Sequence, residues 1–481
     1  MSLKSVFLLS GRNLDDWLSP ILVKELRQGM RARAFLIAFL LLQVFLVLLV
    51  VGNVAAQEDR NALDFQNHFF WVIIGFVLLA LVPLRGLVAV SHEIKNHTME
   101  TIMLTRLTAW RVVVGKWSAL FAQSVLLVSA VLPYVILRYF LGGDDVVSDF
   151  EAILLMLWLS GILIAASIAV SALGNAVIRI AILVAIVVGV SGGSDSFLSG
   201  TWSNGGWETC GWLMIFGFFV PALLFELTAS GIAPASENHA IRRRALALSF
   251  FISACLLGWL AKTSFQPGIV IPLLVLIGIC YFDLSEKPRL LSRMVQSLVG
   301  NNPLGRIAAL FFLPGWPSAL LFSLVVIPFS IGLCFYFVPP DAGFGWLLPV
   351  FAVFGSVLLP IFICHLLWCR MKQVLLMVVL YNILLMGLTA VLDGFANLTH
   401  SGINGILDIL PGIPVLLTES EPDRFKDDLV WYLLGNGCCL VFVTVMLFLG
   451  SRSYYRELFG MIRFAKDSTT LPAPAIGEGT T

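Results

Sequence analysis

Apolar runs the length of a bilayer recur along this chain, and they constrain its fold more than any other feature. A hydrocarbon core takes about 20 apolar residues as a helix, and every backbone amide inside it must find its partner within the protein. Twelve such runs stand out: Ala34–Gly52, Phe69–Val90, Trp117–Leu141, Ala152–Leu173, Ile180–Val190, Gly211–Ser230, Ala245–Ala261, Ile269–Phe282, Ser318–Val338, Trp346–Trp368, Val374–Leu392 and Leu429–Gly450. Ile180–Val190 and Ile269–Phe282 are short and must borrow neighbouring residues to cross. Of the 481 residues 59% are apolar and 12% charged, against roughly 45–50% and 25% in water-soluble domains. Those figures exclude a soluble globular enzyme, and they exclude disorder as well. The expected fold is all-α, a polytopic integral membrane protein of about 12 transmembrane helices.

Orientation follows from the basic residues, because loops that stay in the cytoplasm keep their Lys and Arg. With the N-terminus inside, 24 of the 30 Lys and Arg fall in inside segments, while Arg60, Lys262, Arg424 and Lys426 fall outside. Arg85 and Arg138 lie within spans. Both termini are therefore expected inside, in a multi-pass protein of the plasma (inner) membrane. The first 33 residues are too charged to read as a cleavable signal peptide. The formal net charge of +1 gives no nucleic-acid footprint. Eight Cys sit mostly in apolar runs, without the spacing of a disulfide framework or a zinc site.

The chain divides into a cytoplasmic segment 1–33, a six-helix core 34–230 carrying a loop 91–116, and basic loops with helices seven and eight over 231–317. Helices nine to twelve follow over 318–450 with an external re-entrant-like loop 393–428, then a cytoplasmic tail 451–481. In the first segment Ser19-Pro20 reads as a cap followed by Pro at the first helical position. Ile21, Leu22, Leu26 and Met30 then share one face, and Lys24, Arg27, Gln28 and Arg31 the other. This is a basic amphipathic helix suited to the membrane surface, or a frayed extension of the first span. Pro303-Leu-Gly-Arg306 is a second Pro-led basic stretch, which together with the loops 191–210 and 393–428 points to a six-plus-six arrangement.

The segment Ser91–Lys116 is cytoplasmic by the charge count. Thr98 can cap a helix and Glu100 complements its dipole, while Met99, Ile102, Met103 and Leu107 form an apolar stripe. Such a helix lies flat on the membrane or enters a partner's groove.

Catalytic motifs are absent. Gly115-Lys116 has Trp110 where a GxxxxGK loop needs its first glycine, so no ATP hydrolysis is expected from this chain and no catalytic residue is assigned. No metal site is assigned either. His365, beside Cys364 and Cys369, is read as an interfacial histidine, with metal binding the alternative. Intramembrane charges are functional candidates because they are costly. Arg85, Arg138, Glu226 and Asp283 qualify, and interface anchoring or snorkelling is the competing reading of each.

The run Glu93…Thr98-Met-Glu100-Thr-Ile…Leu107-Thr-Ala-Trp-Arg111-Val-Val-Val-Gly115-Lys116 resembles the loop of ABC-2 type exporter permeases, roughly E-x-x-x-G-T-L-E, a turn, then I-V-x-G-K. Leu132-Pro-Tyr134, Arg138-Tyr-Phe-Leu-Gly-Gly143 and the N-terminal Pro20…Lys24-Glu25-Leu-Arg27 are similar to members of that family too. His97 stands where the family often has Gly, and the second six spans carry no matching segment. The resemblance implies a type-2 exporter-like six-helix core whose loop after span two docks into a separate ABC ATP-binding subunit. Glu93, Thr98, Glu100, Arg106, Gly115 and Lys116 would then be the coupling residues, and Lys24, Glu25 and Arg27 would belong to the pre-span helix. It further implies that ATP and Mg are bound by the partner subunit rather than this chain, that a second permease copy or a paralogous permease completes a dimer, and that membrane lipid surrounds it. Two other classes stay open. An ion-coupled secondary carrier would need a titratable group at depth, and a membrane-embedded lipid-modifying enzyme would need acidic or basic side chains clustered at one face, such as Asp144 and Asp145.

Overall fold

The computed structural model describes residues 20–55, 69–91, 93, 108–140, 146–172, 207–234, 237–261, 267–284, 286, 290–291, 294–295, 303–335, 384 and 441–470. Their regular structure is all helical, with no strand among them. Seven helices are long and apolar enough to cross a membrane, and two more, Ile271–Leu284 and Val441–Gly450, are shorter and apolar. The chain thus has the character of a multi-pass helical membrane protein. The spans expected at Ile180–Val190 and Trp346–Trp368, that at Val374–Leu392 apart from Leu384, and the loops 191–206 and 393–428 lie outside the described residues, while residues 207–210 of the expected loop 191–210 are helical.

The chain forms two compact units, Met1–Pro234 and Ala235–Thr481. Unit 1 holds α1 (Pro20–Arg31), α2 (Arg33–Ala55), α3 (Phe69–Ala89), α4 (Ala109–Phe140), α5 (Val146–Ser171) and α6 (Trp207–Ile232). The helix α4 begins eight residues before the expected Trp117, so Arg111 and Lys116 belong to a helix rather than to a loop. At its centre stands α5, against which α3, α4 and α6 all pack. Its buried Ser160, Gly161, Ala165, Ser167 and Ser171 let the neighbouring backbones close in, which matters where lipid offers no hydrophobic drive to association.

One irregularity in α3 has a sequence cause. Residues Phe76–Leu81 form a π-helix, in which the Val82 amide donates to the Val77 carbonyl. The Leu78 carbonyl would then need the amide of residue 83, and Pro83 has none. The Ser160 hydroxyl donates to that carbonyl instead, at 2.9 Å, and shares a contact of 3.2 Å with the Ser124 hydroxyl. In a bilayer such an orphan must be met from within the protein.

Unit 2 holds α7 (Ala240–Leu260), α8 (Pro267–Leu284), α9 (Pro303–Phe312), α10 (Trp316–Phe335), α11 (Val441–Gly450) and α12 (Arg452–Thr470). The helix α7 starts at Ala240 and not at Ala245, and so takes in Arg242, Arg243 and Arg244, which the sequence reading assigns to a loop. Pro303 begins a helix as Pro20 does, but α7 and α8 precede it, so the second Pro-led stretch does not open its unit. Between α9 and α10 the chain turns at Gly315, whose φ of 120° suits a residue without a Cβ.

Candidate functional site

At one end of unit 1 three of the residues singled out in sequence meet. Lys116 of α4 is 4% exposed, and its Nζ donates to Glu25 Oε1 of α1 at 2.9 Å and to Glu93 Oε1 at 2.8 Å. Glu25 comes from the pre-span helix, Glu93 from just beyond α3, and Lys116 from the start of the next span. One ammonium thus joins three elements. Gly115 explains the closeness: a Cβ there would stand 3.0 Å from Ile21 Cγ2, so the glycine lets α1 seat on α4. The helix α1 has α4 and α2 as its neighbours, and Ile21, Leu22 and Leu26 of its apolar face are half-buried. Met30, expected on that face, is 39% exposed. Lys24 and Arg27 lie on the exposed flank of α1.

A second tether grips the last turn of α1. The Arg85 guanidinium of α3 donates to the Gly29 carbonyl at 3.3 Å and to Gln123 Oε1 of α4, and it stacks over Phe35 with 5.7 Å to the ring centroid. A cation on a C-terminal carbonyl complements the helix dipole. Arg85 is half-buried. Any side chain at position 29 would run into the Gln123 amide.

Arg138 is more deeply enclosed. It is buried 3.6 Å from Asp149 Oδ2 in the first turn of α5, and it faces the rings of Phe70 and Trp71 at 5.2 and 5.7 Å. The expected span begins only at Ala152, which leaves Asp149 in the preceding loop, whereas the helix starts at Val146. Glu226 of α6 is 0% exposed, whereas the sequence placed it within reach of water. It neighbours Phe225, which packs against Trp110 and Trp117. Thr98, Glu100 and Arg106 lie outside the described residues, so of the segment Ser91–Lys116 only 91, 93 and 108–116 are seen.

Unit 2 carries a buried ionic centre, of which the sequence reading singled out Asp283 but neither arginine. Arg243 Nη2 lies 2.8 Å from Asp283 Oδ1 and 2.7 Å from Glu286 Oε2, and Arg244 Nε lies 2.7 Å from Asp283 Oδ2. Both arginines and Asp283 are fully buried, so two positive charges face two negative ones. Phe282 and Phe322 cover the guanidiniums at 5.0 and 5.5 Å. The end of α9 is closed by side chains: Arg244 donates to the Phe311 carbonyl, Asn238 to the Phe312 carbonyl at 3.1 Å, and Ser318 to the Leu313 carbonyl. Terminal carbonyls without helical partners are thereby met. The available signal was an Arg pair entering one apolar run and an Asp leaving the next, because adjacent helices joined by a short loop bring those positions side by side. Nearby, burial pushes the Tyr454 phenol of α12 up to about 12 and raises that of Tyr455 as well.

Among the described residues no group of His, Cys, Asp and Glu is placed to hold a metal ion. In unit 1 the Lys116 and Arg85 contacts join α1, α3 and α4. No family model, no curated protein and no solved structure matches this chain.

Proposed function

We propose that this chain is the membrane-spanning permease subunit of an ATP-driven ABC-type exporter of the plasma (inner) membrane. A separate ATP-binding subunit, holding the ATP and Mg, docks on the segment after α3, and a second permease copy or a paralogue completes the pore. The observation that carries this reading is the Lys116 junction. The docking segment leaves at Glu93 and returns at Gly115-Lys116, and Lys116 ties both of these ends to Glu25. A push on the segment is thereby delivered to α1, α3 and α4 together. The test is purification of the tagged chain from its native membrane in mild detergent, beside the variant Glu100→Arg. A stoichiometric P-loop ATPase that is lost or weakened in the variant supports the proposal. A folded, monodisperse chain with no ATPase in either preparation overturns it.

Glu226 favours a second reading, an ion-coupled carrier, since it is a titratable group wholly buried in a helix long enough to span. Transport that survives loss of every ATPase partner and is abolished by Glu226→Gln would establish that reading instead.

A further inference from the structure

The helix α12 follows the apolar α11 with one residue between them, Ser451, whose amide still donates to the Leu447 and Phe448 carbonyls at 3.0 and 3.2 Å. Its Tyr454, Leu458 and Ile462 are buried against Met294, Val295, Ala309 and Leu313, so its apolar face is already covered by its own unit. The Tyr455 hydroxyl donates to the Pro317 carbonyl at 2.6 Å, which sets the start of α12 level with the start of the α10 span. What α12 leaves outward is a stripe of Arg452, Arg456, Phe459 and Arg463, all exposed, with Phe459 at 52%. At 100° per residue these four fall within an arc of about 60°, and Glu457 lies outside it. Among the described residues none of the three arginines makes an ion pair.

We propose that this stripe binds the headgroups of anionic glycerophospholipids in the leaflet beside α11. Three facts favour lipid over a soluble acidic partner. The stripe is separated from an apolar helix by a single residue, its three cations are spaced along one line and not gathered into a pocket, and an exposed phenylalanine sits among them where an acyl–headgroup boundary would take it. Guanidiniums pair bidentately with phosphate. A basic residue near an anionic surface gains roughly a fivefold preference for it, lost with salt.

The experiment uses the full chain in nanodiscs of phosphatidylcholine alone, or with about one third phosphatidylglycerol, and follows amide hydrogen exchange over residues 452–470. Exchange there should slow at least about tenfold with phosphatidylglycerol at low salt, and 0.5 M NaCl should abolish the difference. The variant with Arg452→Gln, Arg456→Gln and Arg463→Gln changes exposed positions only, so it should fold and show no lipid dependence. Equal exchange in both nanodiscs would overturn the proposal, as would lipid-dependent protection retained in the triple variant. The same protection from 50 mM inorganic phosphate in phosphatidylcholine nanodiscs would refute it too, by assigning the stripe to a soluble anion.

Discussion

Replacing Lys116 by Met tests the junction of unit 1 most directly. The side chain is 4% exposed, while the Glu25 and Glu93 side chains are 26% and 12% exposed. Met matches the length of the stem, so packing changes little and the charge is what is lost. Breaking a buried ion pair by removing one partner costs about 3–5 kcal/mol, because the other charge stays behind in a poor solvent. Here two carboxylates stay behind, but Glu25 reaches water, and its exposure trims the expectation to about 2–4 kcal/mol. For a body of some 230 residues each kcal/mol moves the midpoint by about 2–4 °C, so Tm should fall by about 4–16 °C. The assay is thermal unfolding of the purified chain in detergent, with trypsin susceptibility at Lys24 and Arg27 as a local probe of α1. The variant Lys116→Met with Glu25→Gln and Glu93→Gln removes all three charges and should recover most of the loss, as neutral replacements of buried ion clusters do. An unchanged Tm in Lys116→Met would refute the reasoning, and so would a triple variant no more stable than the single one.

In unit 2, Asp283→Asn strands Arg243 and Arg244 without their shared carboxylate; it should cost about 3–5 kcal/mol, read as a Tm drop larger than that of Glu286→Gln, whose side chain is 30% exposed. Ser160→Ala should cost about 1–2 kcal/mol by leaving the Leu78 carbonyl unmet. Adding Pro83→Ala supplies the missing amide, so the double variant should unfold at a higher temperature than Ser160→Ala alone. The Tyr454 phenol has its pKa raised from 10.0 to about 12 by burial. Its contribution to stability is complete below the unfolded value and lost as pH rises through the folded one, so Tyr454→Phe should flatten the fall of Tm between pH 10 and 12.

The described spans of unit 1 were legible because a run of Leu, Val and Phe has few alternatives to a buried helix, and their ends moved by up to eight residues where a charge interrupted the run. Gly115, Lys116, Glu93 and Glu25 were legible as a motif, but not as a junction. Sequence spacing places Glu25 91 residues from Lys116, and nothing in the local pattern says that they touch. Arg243 and Arg244 were misplaced for a related reason. A hydropathy count charges each arginine its full cost of leaving water, whereas Asp283 and Glu286 offset that cost within the fold. The π segment was hidden because proline in a span is ordinary, and what makes Pro83 consequential is the amide missing opposite Ser160.

Both units meet one physical requirement by different chain orders. A helix begun by proline, Pro20 in one and Pro303 in the other, leads within three residues into a span, and its last turn leaves carbonyls beside an apolar layer. In unit 1 the guanidinium that meets such a carbonyl comes 56 residues after it, from Arg85 to Gly29. In unit 2 it comes 67 residues before it, from Arg244 to Phe311. The consequence is mechanical. To slide, either helix must give up a part-buried charged hydrogen bond, and only a second arrangement offering an equal partner could replace it. Contacts of this kind make a packed end bistable rather than continuously deformable. Where α1 moves at all, it should move between two seats, with Arg85 and Lys116 exchanging partners in the same step.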